Sequence, residues 1–142
     1  NGVTPRRWMH QANPLLSVLI STCLQTEDWL LNLDLLARLR PLASSPHLQK
    51  QWADVKRQNK ERLAAYIKKE LGIVISVDSL FDVQIKRIHE YKRQLLNILY
   101  IIYRYRQLKM ATPEERSQFV PRTCIFGGKA APGYYMAKLI IK

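Results

Sequence analysis

Apolar positions in the first half of the chain recur at spacings near three and four, and in the second half the pattern twice changes to strand-like runs. The opening residues 1–8, Asn-Gly-Val-Thr-Pro-Arg-Arg-Trp, have turn chemistry at Gly2 and Pro5 and no helical period, so a loop is expected there. Asn13 followed by Pro14 predicts the cap and first position of a helix, with Leu15, Leu16, Leu19, Ile20 and Cys23 facing inward. The leucine-rich residues 27–39 predict a second helix that ends before Pro41. Ser45 and Pro46 open a third, with Leu48, Trp52, Val55, Leu63, Ile67 and Leu71 on its inner face and Gly72 as its stop. Its outer face holds Lys56, Arg57, Lys60, Arg62, Lys68 and Lys69, which reads as a solvated surface.

From Ile73 onward β-branched residues appear. Phe81, Val83 and Ile85 alternate with Asp82 and Gln84, predicting a buried strand over 80–85. A long helix is expected to follow to about Lys109. Residues 95–103 have only Asn97 as a polar interruption, so this helix is expected to be covered on more than one side, with Tyr100 and Tyr103 in the core. Thr112-Pro-Glu-Glu115 is the start of a short surface helix. A second strand over 122–126, a Gly127-Gly128 turn and a helix from near Pro132 complete the chain. Two successive strand–turn–helix units imply an α/β fold, helix-rich, with two parallel strands and helices on the sheet's faces. Residues 1–72 then form a loop plus a helical segment and 73–142 the two sheet units, together a single partial domain.

In such sheets ligands bind beyond the C-terminal ends of the strands, where Lys86-Arg87 and Gly127-Gly128-Lys129 both fall. Lys86, Arg87, Lys92 and Arg93 gather between a strand and a helix, and free backbone N–H groups and the helix dipole are expected to add to their charge. The pattern predicts a phosphate site. A charged helix start in solvent is the plain alternative, but apolar segments flank the cluster on both sides, and cations left unpaired near buried backbone cost several kcal/mol. His89 and Tyr91 sit among the cations, placed to orient a ligand or to serve as hydrogen-bonded structural residues. The glycine pair lacks the full pattern of a Walker loop or a dinucleotide fingerprint.

The formal charge of +12, from 23 Lys and Arg against 11 Asp and Glu, favours an anionic partner. A basic nucleic-acid-binding domain is the rival reading, since Tyr100, Tyr103 and Tyr105 interleave with Arg104 and Arg106. No zinc, RNA-recognition or helix-turn-helix signature accompanies them. Apolar content of 47% with 24% charged residues is that of a globular domain, and the longest apolar runs fall far short of the ~20 residues a membrane span needs. With no secretory pattern at the N-terminus, the protein is expected to be cytoplasmic. Cys23 and Cys124 stand apart without a metal-ligand spacing and are expected to be core thiols, and no metal is expected. The first residue is Asn1 and the last, Lys142, lies within an apolar helical pattern without a stop signal, so the chain is expected to be a piece of a longer one.

Three blocks carry a family resemblance: Asn1-Gly-Val-Thr-Pro-Arg-Arg-Trp8, residues 81–97 (Phe-Asp-Val-Gln-Ile-Lys-Arg-Ile-His-Glu-Tyr-Lys-Arg-Gln-Leu-Leu-Asn) and residues 127–138 (Gly-Gly-Lys-Ala-Ala-Pro-Gly-Tyr-Tyr-Met-Ala-Lys). In this order they resemble the glycogen (α-1,4-glucan) phosphorylases. That resemblance implies the start of the Rossmann-like C-terminal lobe of a two-lobed, GT-B-type glycosyltransferase. It further implies an enzyme, a homodimer when complete, that uses inorganic phosphate to release glucose 1-phosphate from α-1,4-glucans, with pyridoxal 5′-phosphate as cofactor and neither nucleic acid nor membrane as partner. By resemblance, Asn1 binds the terminal glucose, Lys86 the cofactor phosphate, Arg87 the substrate phosphate, and Lys92 bridges the two, with His89 and Tyr91 in the same lining. The lysine that forms the family's Schiff base lies in a segment this chain does not include, so these 142 residues alone are expected to be inactive.

Overall fold

A computed structural model of the protein describes residues 5–142; Asn1 lies outside the described residues. The chain forms two compact units, Asn1–Val77 and Asp78–Lys142.

The first unit is helical. Its first described element is α1, Pro5–Ala12, which takes in residues 5–8 of the expected loop, while residues 1–4 of that loop lie outside the described residues. Proline's fixed φ suits a helix start. The turn is then held by tertiary packing of Met9 on a cluster of Ile20, Leu24 and Trp29, which no local period announces. Helix α2, Pro14–Leu24, starts as expected: Asn13 Oδ1 accepts from the Leu16 N–H at 3.2 Å. It ends at Gln25, in the left-handed conformation (φ 56°). The expected single helix over 27–39 is instead two 3₁₀ segments, Asp28–Leu30 and Leu33–Leu42. Asn32, extended between them, uses its side chain to cap Asp34 and so breaks the run, while Pro41 lies inside the second segment. The long α3, Pro46–Leu71, has Ser45 as cap, and the left-handed Gly72 donates its N–H to Lys68 O. Asn59 Nδ2 donates to Asn13 Oδ1 and Arg62 to Ala12 O, which ties α3 to the α1–α2 junction.

The second unit pairs β1, Leu80–Ile85, with β2, Arg122–Gly127, in parallel register, Leu80 opposite Arg122 and Ile85 opposite Gly127. Between them run α4, Gln94–Met110, and the short α5, Pro113–Ser117, which carries a full capping box between Thr112 and Glu115. Helix α6, Tyr135–Ile141, begins after the predicted Pro132 and buries Ala137 and Ile140. The Ser79 and Thr123 hydroxyls meet at 2.6 Å, and Arg122 pairs with Asp82 across the strands at 2.8 Å.

Burial in this unit departs from expectation. Val83 and Ile85 are exposed, Ile85 to 66%, while Phe81 at the start of the same alternation is half-buried. Along α4 only Gln94 is buried; Leu96, Leu99, Tyr100, Ile102 and Tyr103 are exposed, so the two tyrosines are not core residues in this chain. Cys23 and Cys124 are half-buried, less enclosed than expected.

Candidate functional site

The segment between β1 and α4 carries the predicted cations. It leaves the sheet beside residues 127–129: Lys86 N–H donates to Gly127 O at 2.9 Å and Ile88 N–H to Lys129 O at 3.2 Å, extending the parallel ladder past the strand ends. A 3₁₀ turn, Glu90–Lys92, follows, and Arg93 takes the left-handed conformation (φ 61°) that redirects the chain into α4.

This path builds one open depression of 580 Å³ at the C-terminal edge of the sheet. Arg87, His89, Tyr91 and Lys92 line one side, with Lys129, Ala130, Ala131 and Tyr134 from the post-β2 segment on the other. Four predicted residues are thus brought together. Lys86 is exposed and lies outside the lining, and Asn1 is outside the described residues.

The backbone donors of the turn itself are taken, while the first turn of α4 has no side-chain cap. Every N–H from Ile88 to Arg93 has an acceptor within the protein: Lys129 O, Gln94 Oε1, Tyr134 Oη, His89 Nδ1, His89 O and Glu90 O in turn. Three cationic side chains, Arg87, Lys92 and Lys129, line the depression, and the Glu90 carboxylate lies behind Tyr134. Tyr134 Oη donates to Glu90 Oε2 at 2.8 Å, so that carboxylate is already engaged. Burial, with the Glu90 charge behind it, pushes the Tyr134 phenol above its usual range.

His89 is exposed and packs its ring 4.2 Å from Tyr91 and 5.5 Å from Tyr134. Its Nδ1 accepts from the Tyr91 N–H at 3.4 Å, which leaves Nε2 as the ring nitrogen open to a ligand. Lys92 Nζ sits 5.6 Å from the Tyr91 ring centroid, within cation–π range.

Sequence reasoning missed Tyr134 and the buried Gln94. Tyr134 follows Gly133 in a run rich in alanine and glycine, with no local signal of its contact with Glu90, 44 residues earlier. Among the described residues no group of acids, histidines and cysteines is arranged to hold a metal ion, and no helix is long and apolar enough to cross a membrane.

Comparison with known proteins places this edge in context. The family model described as carbohydrate phosphorylase matches residues 1–142. Over its whole length the chain is 57% identical to glycogen phosphorylase 2 of Dictyostelium discoideum, spanning 14% of that protein. It is 54% identical to a chloroplastic/amyloplastic α-1,4 glucan phosphorylase L isozyme of Vicia faba, again over 14% of the relative. With the cytosolic α-glucan phosphorylase 2 of Arabidopsis thaliana the identity is 52%, over 17% of that protein. The chain thus covers about one-sixth or less of these relatives, yet the match to the family runs from its first residue to its last, and the chain belongs to the carbohydrate phosphorylases.

Proposed function

We propose that the protein containing this chain is an α-1,4-glucan phosphorylase, which uses inorganic phosphate to release glucose 1-phosphate from glycogen- or starch-type glucans. The observation that carries this reading is the convergence of Arg87, Lys92 and Lys129 on one depression, with the neighbouring Glu90 carboxylate held by Tyr134. A phosphate group near neutrality carries about −1.5 to −2 charges, and two such groups brought together need a concentrated, fixed set of cations.

In this reading Arg87 grips the substrate phosphate through its planar fork of donors, and Lys86 pairs with the cofactor phosphate. Lys92 would bridge the two phosphates and offset their mutual repulsion. His89 and Tyr91 bound the site, and Asn1 contacts hydroxyls of the terminal glucose. The donor set fits pyridoxal 5′-phosphate at its phosphate end, since Arg87, Lys92 and Lys129 line the depression and the nearby Glu90 carboxylate is engaged by Tyr134. When bound, that group supplies a second phosphate able to exchange a proton with the substrate phosphate. Arg87 and Lys92 then hold the attacking phosphate against the developing positive charge of the sugar and exclude water from its place. The Schiff-base lysine belongs to another part of the protein, so the 142 residues alone neither hold the cofactor covalently nor catalyse phosphorolysis. The proposal extends to a GT-B-type C-terminal lobe, a homodimeric whole enzyme and a cytoplasmic location, which the relative named cytosolic supports and the chloroplastic ones do not.

Arg87→Ala in the full-length enzyme tests it. Use of phosphate is expected to fall by at least a hundredfold while glucan affinity changes little. Equal loss of both would make Arg87 a structural residue and overturn the assignment.

A further inference from the structure

We infer that Gln94 is a positioning residue for phosphate recognition, acting through the backbone of Arg87. This inference rests on the reading of Arg87 as the phosphate ligand. Gln94 is the most deeply buried polar side chain of the described residues, 2% exposed at the first position of α4. A buried amide is costly unless both its ends are paired. Here both are: Nε2 donates to the Arg87 carbonyl at 3.2 Å, and Oε1 accepts from the His89 N–H at 3.4 Å. One side chain thus spans the turn on either side of Ile88 and fixes the peptide from which Arg87 projects.

A second amide relay fixes the other end of the cationic segment. Asn97 Nδ2 donates to Gln84 Oε1 at 2.8 Å, and Gln84 Nε2 donates to the Lys92 carbonyl at 3.2 Å. Strand β1 and helix α4 therefore hold residues 87–92 between two amide clamps, while the Arg87 side chain is exposed. Precision in its placement comes from the main chain. Loss of a clamp lets the turn relax by a fraction of an ångström, and displacements of that order cost about tenfold or more in a site built on oriented charges.

The test uses the full-length enzyme and a double-mutant cycle. Gln94→Met keeps the buried volume and removes both hydrogen bonds. Gln94→Glu keeps the acceptor for His89 and loses the donor to Arg87. Each is combined with Arg87→Ala, and KM values for phosphate and glucan, equilibrium binding of inorganic phosphate, and melting temperature are read. Both single variants are expected to weaken phosphate binding and raise its KM by about tenfold with glucan KM unchanged, and to add nothing in the Arg87→Ala background. An unchanged phosphate KM, an equal rise for glucan, or an effect that persists without Arg87 would overturn the inference, as would failure of both variants to fold, which would make Gln94 purely structural. If Arg87→Ala alone spares phosphate use, the fault lies in the assignment of Arg87 and not in Gln94.

Discussion

A Cβ placed on Gly128 would collide with the carbonyl oxygen of Lys86, so the two segments beyond the C-terminal ends of the strands touch backbone to backbone. No L side chain fits there without moving the main chain one residue before Arg87. Its neighbour Gly127 is different: the nearest atom to an added Cβ is Ile85 Cγ1, at 3.2 Å, a side chain able to give way. Gly128→Ala is therefore expected to destabilise by about 2–3 kcal/mol and Gly127→Ala by about 1 kcal/mol or less. Melting of the intact protein checks the order, and a larger loss at Gly127 would refute the close approach as its cause.

Trp29 is the anchor of the first unit. It is 1% exposed, and its indole N–H donates to Ser21 Oγ at 3.0 Å. Trp29→Ala is expected to cost about 3–5 kcal/mol through cavity formation. Trp29→Phe loses the donor and part of the ring, at about 1–2 kcal/mol. Trp8 and Trp52, 65% and 46% exposed, should be quenched by acrylamide while Trp29 is protected. Uniform quenching of all three would show that the cluster is not packed as described.

Helix ends give a pair of opposite predictions. Gly72 has φ 70° and nothing within 4 Å of an added Cβ, so Gly72→Ala meets conformational strain alone, about 1 kcal/mol. Gln25 occupies the same region with φ 56° and has a Cβ, so Gln25→Gly is expected to be neutral or stabilising by up to about 1 kcal/mol. Chemical denaturation reads both, and a stabilising Gly72→Ala would contradict the left-handed end of α3.

Local signals located the elements whose cause is local. Ser45, Asn13 and Thr112 announce their caps, Gly72 its stop, and the alternation over 80–85 its strand. The cation cluster was legible for the same reason: Arg87 and Lys92 lie close in sequence on one turn. What depends on distant contacts was not legible. Met9 holds α1 in place through residues of α2 and beyond. The amide clamp of Gln94 required knowing that residues 87–89 fold back onto the first turn of α4. Burial of residues 95–103 was predicted from apolar density alone, and density says what a helix face favours, not which neighbours are at hand.

Cys124 tests the electrostatics of β2. Burial first, then the Asp82 carboxylate, pushes its thiol above the ordinary 9.0, with Arg122 acting the other way. The thiolate fraction at pH 8 is thus smaller than in a free thiol, and alkylation should be slower. Because the folded pKa is raised, the thiol's contribution to stability is present below pH 9.0 and is lost as pH rises through the folded value. Asp82→Asn removes a raising charge and is expected to speed labelling. Slower labelling in that variant would reverse the sign assigned to Asp82.

The exposed apolar surface of the second unit carries the last prediction. Val83 and Ile85 on β1, and Leu96, Leu99, Ile102 and Tyr103 on α4, leave large side chains in water at positions whose spacing is that of covered elements. At ~25 cal/mol per Å² of apolar area, several such residues together give a strong drive towards association. A polypeptide of these 142 residues is therefore expected to bind a hydrophobic dye and to associate as concentration rises. Replacing Leu99 and Ile102 by Lys should reduce both effects, because charge opposes burial of that face without touching Gln94 or the cationic turn. A monodisperse monomer with a sharp cooperative melt and no dye binding would mean that α4 is satisfied as it stands, and the exposure of its leucines would then need another cause.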